Sequence, residues 1–244
     1  MTLRGLRSLI RLLSLQASYT FERLQGVGIA VAEEPLLEPL GKDLDQARAA
    51  RGRSAQYFNA HPFLAGIAVG ALAKAELDHE DGERILRLRT ALSGPLGALG
   101  DQLFWAGIVP AIMGVMLVAT AVGRGLQALI GVVIGYNITR VFVTGWGLQF
   151  GFSHGIGVAG EISHTRLKEL ASAAGALSAV VIGGAIPWVV LWLLEGAARA
   201  RLLGLVLVGV AIVVGMLTRR RPVSAPLVTL GAAAVVLLWR WSLG

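Results

Sequence analysis

The sequence predicts an all-α, polytopic integral membrane protein, with amphipathic helices at its N-terminus and broken or re-entrant helices beyond them. Three observations carry that expectation. Hydrophobic residues make up 55% of the 244 and charged residues only 15%, where a soluble domain carries about 25% charged, and the mean hydropathy is +0.68. The charges crowd into residues 1–100, leaving 101–244 charge-poor. Finally, 32 glycines interrupt apolar segments, several of which fall short of the ~20 residues of a simple span. Such interrupted backbone is stable at membrane depth only when protein or a wet cavity covers it.

The first element is read from spacing. Arg4, Arg7 and Arg11 recur at helical intervals, with Leu6, Leu9, Ile10 and Leu13 largely on the other side, the pattern of an interfacial amphipathic helix. A secretory signal would resemble it, but Arg11 interrupts the apolar stretch, which favours a retained cytoplasmic helix. From Glu33 to Arg53 the residues are mixed and charged, and Pro35 and Pro39 argue against a long helix, so this stretch is expected in water or among headgroups.

Apolar segments follow at Pro62–Ala75, Phe104–Ala121, Leu126–Thr139, Val141–Gly160, Ala171–Leu194, Leu202–Thr218 and Pro222–Trp239. Glu76–Arg89 is a charged excursion out of the bilayer, and Arg219, Arg220 and Arg221 form a positive-inside signal. With the basic N-terminus also inside, the expected topology has the N-terminus cytoplasmic and the C-terminus outside. Three regions result: a cytoplasmic or interfacial helical region at 1–58, a substrate-site core with broken helices at 59–170, and C-terminal transmembrane helices at 171–244.

Several chemistries are set aside. With no Cys there is no disulfide framework, thiolate metal site or Cys nucleophile. The net charge of +7 comes from basic residues that flank apolar segments, which suits lipid headgroups and not nucleic acid. Two Glu-x-x-His pairs, Glu76 with His79 and Glu161 with His164, have the spacing of di-iron bundle ligands. The first lies in a charged linker, so no metal site and no cofactor are expected.

Three polar clusters stand out. Gln16 to Gly26 contains Gln16, Tyr19, Glu22, Arg23 and Gln25, side chains that offer both donors and acceptors, as a polyhydroxylated ligand requires. A packed helix end with solvated charges would look the same. Asn59 and His61 precede Pro62, which is favoured at a first helical position, so both would project beside a helix start, as caps or as ligands. Gly94-Pro95-Leu96-Gly97 through Gly100-Asp101 should break a helix at the membrane boundary. Asp101, with Trp105 after it, is then an ionisable group beside an aromatic, either a helix cap or a binding group for a hexose. Arg140, one turn after Asn137, interrupts two apolar stretches and is expected to pair inside a bundle or to snorkel.

These clusters, in order, resemble the motifs of the IID membrane subunit of mannose-type (mannose, fructose, sorbose) sugar phosphotransferase systems. Asn137 with Arg140, and Gly147-Leu-Gln-Phe-Gly-Phe-Ser-His154-Gly155, are similar to the next two motifs, so that the agreement covers residues 10–195. The resemblance implies a non-catalytic permease subunit that, with a IIC partner, binds and translocates a hexose. IIA and IIB phosphocarriers would relay phosphate from phosphoenolpyruvate, in the bacterial inner membrane. It implies substrate contacts from Gln16, Tyr19, Glu22, Arg23, Gln25, Asn59, His61, Asp101 and Trp105, and structural roles for Gly94, Pro95, Gly97, Gly100, Asn137 and Arg140. No phosphohistidine is implied at His61, His79, His154 or His164. The chain departs from the pattern at Tyr19 (usually Trp), Thr20 (usually Asn) and Gln102 (usually Pro), and a larger insertion after Leu194 is reduced to Glu195–Arg201. The alternative is a membrane scaffold or regulatory protein that retains the fold without transport.

Overall fold

The computed structural model describes residues 2–194. The expected helices at 202–218 and 222–239 and the Arg219–Arg221 tract lie outside the described residues. Among the described residues the chain is helical: α1 Leu3–Leu13, α2 Gly26–Leu37, α3 Leu44–Ser54, α4 Ala65–Leu77, α5 Gly82–Gly100, α6 Val109–Ala121, α7 Gly125–His154, α8 Val158–His164 and α9 Leu167–Leu194.

In α1 the Thr2 hydroxyl caps the first turn by accepting from Gly5 N–H, and Gly5, Ser8, Leu9 and Leu12 form the buried face. The three arginines meet α2 and the short 3₁₀ turn after it: Arg4 and Arg7 reach Glu38 at 3.1 and 3.4 Å, and Arg11 reaches Glu34 at 2.5 Å. These exposed pairs contribute little each. They fix which side of α1 faces its neighbour, leaving Leu3, Leu6 and Ile10 exposed.

The Glu33–Arg53 stretch divides: most of residues 38–53 are exposed, as expected, but its first turn is not. Pro35 stands inside α2, and Glu33, Leu36 and Leu37 are buried. Pro35 leaves the Val31 carbonyl without its helical donor, and Arg11 Nη1 donates to that carbonyl at 2.9 Å. The α2 face that includes Ile29 and Ala32 joins the core, which outweighs the polar composition.

At the centre lies α4. Every residue from Ala65 to Ala73 is buried, and at 13 residues its length is ~20 Å, too short for a bilayer core of ~30 Å. Its N-terminal end is covered by protein, with Ala60 to Leu64 buried, and its C-terminal end opens at the exposed Asp78 and His79. It packs backbone to backbone on α7: a Cβ on Gly70 would stand 2.6 Å from Phe152 N, and one on Gly151 would stand 2.9 Å from Ala71 N. Helix α4 starts at Ala65 with Leu64 as its cap, so Pro62 is not its first residue. Pro62 and Phe63 lie in the turn before it.

The expected break at Gly94–Asp101 is absent. Helix α5 runs through Gly94, Pro95 and Gly97 and continues through the wide π-helical turns of Asp101–Ile108 into α6. An interior proline costs about 3 kcal/mol, but Leu88, Leu92 and Leu96 are buried on the same helix, and each contributes about 1.5–3 kcal/mol. Departure from α geometry comes one turn later than the prolyl and glycyl residues suggest. Arg140 likewise does not divide α7, whose 30 residues run continuously. Gly82–Ala121, Gly125–His164 and Leu167–Ala185 are long and apolar enough to cross a membrane.

Candidate functional site

Two of the polar clusters are joined through backbone. Leu24, with φ of 46°, turns the chain so that Thr20 and Leu24 exchange N–H···O bonds of 3.1 and 2.9 Å. Gln25 N–H then donates to the Phe58 carbonyl at 3.0 Å, and Phe58 N–H donates to the Arg23 carbonyl at 3.3 Å. The fully buried Gln25 side chain completes the junction. Its Nε2 donates to the Ala60 carbonyl at 2.5 Å, its Oε1 accepts from Ala60 N–H at 3.0 Å, and Nε2 also meets the Tyr19 hydroxyl.

The third cluster closes on the same turn. Ser93 Oγ donates to the Asn59 carbonyl at 2.6 Å and accepts from Asn59 N–H at 3.2 Å. Gly100 lies against His61 so closely that a Cβ there would stand 2.5 Å from the ring carbon Cγ. The His61 ring stacks on Phe104 at 4.8 Å, meets Phe63 edge-on at 5.1 Å and Trp105 at 5.3 Å. Phe63 in turn lies 5.5 Å from Tyr136 and beneath the Arg140 guanidinium at 5.8 Å, while Arg140 also donates to the Leu13 carbonyl.

Within this aromatic box His61 is 1% exposed, and burial pushes its imidazole down to about 4, so the ring is neutral at physiological pH. Phe63 N–H donates to Nδ1 at 3.2 Å, which assigns the proton to Nε2. That Nε2–H has no acceptor among the described residues. The chain therefore holds an oriented, neutral donor under Trp105, itself 47% exposed. Asn59 and Asp101 are exposed nearby in sequence, with Asp101 four residues before Trp105 on the wide-turned helix. Aromatic faces with a few directed polar groups suit a ligand with CH faces and hydroxyls.

A family model described as "PTS system mannose/fructose/sorbose family IID component" matches residues 4–194. The chain belongs to this IID family. It is 28% identical over 184 residues to the "PTS system mannose-specific EIID component" of Escherichia coli (strain K12), covering 70% of this chain and 62% of that one. To the "Fructose permease IID component" of Bacillus subtilis (strain 168) it is 25% identical over 177 residues, with 70% and 64% covered. The chain thus spans less than two thirds of the length of these relatives. A solved "Structure of membrane protein" superposes with a TM-score of 0.76 at 22% identity, covering 98% of this chain and 96% of the other. The "CryoEM Structure of Mannose Transporter ManYZ and Microcin E492 (MceA) complex" contains a chain with a TM-score of 0.57 at 22% identity, with 100% and 97% covered. These two likenesses establish the fold.

The IID chain distributes its sequence-predicted residues unevenly. His61, Gly100 and Trp105 come together, Gln25 is bonded to the neighbouring Ala60 and to Tyr19, and Asn59 is tied to Ser93. Gln16, Glu22 and Arg23 are exposed, and the Arg23 guanidinium reaches the Ala55 carbonyl at 3.5 Å. Asn137 Nδ2 donates to the Val133 carbonyl one turn back. Gly94 and Pro95 are exposed, Gly97 half-buried. In the first Glu-x-x-His pair, Glu76 is engaged by Arg53 at 2.6 Å. Both ends of the Gln25 amide bond the Ala60 peptide, so Gln25 shapes the turn that carries His61.

Sequence reasoning missed three contributors, Ser93, Tyr136 and Arg89. Arg89 Nη2 donates to the Ser54 and Gln56 carbonyls at 2.8 and 2.7 Å, and Nε donates to the Tyr57 carbonyl at 3.3 Å, which holds the segment leading to Asn59. Its signal was present: Arg89 adjoins the Ile85–Leu88–Leu92–Leu96 stripe of α5, where a charge requires a buried partner.

Proposed function

We propose that the chain is the IID subunit of a phosphoenolpyruvate-dependent sugar permease in the bacterial inner membrane, forming with a IIC subunit the unit that binds and translocates a hexose. IIA and IIB proteins or domains supply the phosphate, and this chain carries none of the transfer chemistry. The observation that carries the reading is the unpaired Nε2–H of a buried, neutral His61, held by three clusters that lie far apart in sequence and walled by Phe63, Phe104 and Trp105. Leaving such a donor unpaired costs about 1–3 kcal/mol. An acceptor from a sugar hydroxyl, admitted when Trp105 moves, removes that cost.

The site is one-sided. Trp105, Asp101 and Asn59 face outward, so the IIC surface would supply the opposite wall. The orientation that fits the basic α1 has the N-terminus in the cytoplasm and the C-terminus outside. Gln16, Glu22 and Arg23, standing exposed, favour the second reading of a scaffold or regulatory protein at that position. Co-purification with a co-expressed IIC subunit, followed by sugar binding to the complex, tests the proposal. A stable complex that binds no hexose would sink the permease reading and leave the scaffold. Single Cys residues at the exposed Leu3 and at Ser224 and Gly244 test the orientation: an impermeant thiol reagent on intact cells should label only the last.

A further inference from the structure

Glu33 has no part in the site described above. It lies on the inner face of α2, 1% exposed. Its Oε2 accepts from the Ser54 hydroxyl, and its Oε1 has no partner among the described residues. Around it is a cavity of about 10 Å³ bounded by Arg53, Ser54, Leu72, Glu76, Ile85 and Arg89, room for a single water at most.

The charged groups that face Glu33 come from three helices. Arg53 of α3 and Glu76 of α4 bind each other through two parallel bonds, Nε to Oε1 at 2.7 Å and Nη2 to Oε2 at 2.6 Å, and so cancel. Arg89 of α5 is 4% exposed, and its guanidinium hydrogen bonds run to the carbonyls of Ser54, Gln56 and Tyr57. Its guanidinium carbon lies 5.2 Å from the centre of the Phe58 ring. Among the described residues no hydrogen bond joins Arg89 to Glu33. One buried guanidinium therefore stands between two claimants, the carbonyls at the end of α3 and the Glu33 carboxyl.

We propose that Glu33 is a proton-binding site that sets how firmly Arg89 holds the connector between α3 and α4. With the proton on, the carboxyl is neutral, its unpartnered oxygen carries little desolvation cost, and Arg89 is free to hold the connector carbonyls. When the O–H bond breaks and the proton leaves to solvent, the new carboxylate competes for Arg89, and the cluster falls from one net positive charge to none. The carbonyls of Ser54, Gln56 and Tyr57 then lose their shared donor, and the segment entering Asn59 and His61 loosens. Burial places this event in a useful range: it pushes the Glu33 carboxyl up from 4.5 to about 7, with Arg89 and the Ser54 hydroxyl pulling the other way. The inference is independent of which ligand, if any, His61 receives.

The test uses the full chain in lipid nanodiscs. Infrared difference spectra should show a protonated-carboxyl band present at about pH 6, gone at about pH 8, and missing from Glu33→Gln. Hydrogen exchange of amides 55–61, corrected for intrinsic pH dependence, should lose about tenfold protection over the same interval, while Glu33→Gln keeps its protection throughout. Ser54→Ala removes a bond that favours the charged form, so the band's midpoint should rise, and this variant with the parent chain decides the matter if Glu33→Gln does not fold. A band that titrates in the ordinary carboxylate range overturns the site. A band that titrates near neutrality over a connector whose protection does not change overturns the coupling.

Discussion

Replacing Gly151 by Ala adds one methyl group where α7 touches α4 most closely. The new Cβ would fall inside the Ile67 carbonyl oxygen's van der Waals surface, 2.8 Å from the Ile67 carbonyl carbon and 2.9 Å from Ala71 N. All three are backbone atoms of a helix buried on every side, so no side chain can swing away. The helices must part by about 1 Å along much of their contact, undoing the close approach at Gly66 and Gly70 as well. Overpacking costs about 1–3 kcal/mol in general, and a clash with three backbone atoms at once belongs at the upper end, about 3 kcal/mol. For a chain of this size 1 kcal/mol shifts Tm by about 2–4 °C, so the expected loss is about 6–12 °C. Thermal unfolding of the purified full chain in one detergent, followed by intrinsic Trp fluorescence, measures it. Gly94→Ala is the control, because a Cβ at Gly94 meets nothing within 4 Å, and in a helix interior it should gain about 0.5–1 kcal/mol. A Gly151→Ala protein that melts with the parent would refute the backbone-contact argument.

Glu33 gives a pH profile of stability with a definite sign. Its folded-state carboxyl lies near 7 against 4.5 unfolded, so the folded state holds a proton that the unfolded state releases, and stability should fall by about 3 kcal/mol as pH rises from about 4.5 to 7. Glu33→Gln should flatten that decline in denaturation midpoints measured across pH, and an unchanged slope would count against it. Gln25→Ala strips the Ala60 N–H and carbonyl of their partners and should cost about 1–3 kcal/mol, while speeding exchange of the amides at Ala60 and Phe63. Equal protection in both proteins would show the clamp to be dispensable. Asp101→Asn should weaken hexose binding by the IIC complex about tenfold to a hundredfold with insertion unchanged, and identical isotherms would remove Asp101 from the site.

What could be read from sequence was whatever local periodicity encodes. The arginine spacing gave α1, the apolar stretch before Glu76 gave α4, and the charged excursion expected at 76–89 shrinks to the turn that Asp81 closes by accepting from Arg84 N–H at 3.1 Å, with Glu76 and Arg89 buried at its ends. What could not be read depends on partners distant in sequence. Glu33 and Ser54 are 21 residues apart, Gln25 and Ala60 are 35 apart, and nothing near either residue says whether its polar atoms face water, backbone or ligand. Pro95 misleads for a related reason: its helix-breaking tendency is local, while the leucines that keep the helix intact gain their stabilisation only in the packed chain. His61 was legible as a residue worth naming. Its tautomer was not, because that is set by a peptide N–H two residues later in a turn.

The π-helical stretch at Asp101–Ile108 acts as a phase shifter in an otherwise continuous rod. Each i→i+5 bond fits an additional residue into the turn, so the azimuth of everything downstream depends on how many residues the stretch contains. Removing one residue there, with the wide turns kept, would leave the rod unbroken and equally apolar, yet turn α6 by roughly a quarter turn relative to α5. Phe104 and Trp105 would be carried off His61, and the Gly107 and Gly114 notches would be swung away from Ala174 and Val181, which they now admit closely. Single-residue length changes in this stretch should therefore preserve membrane insertion while discarding the site.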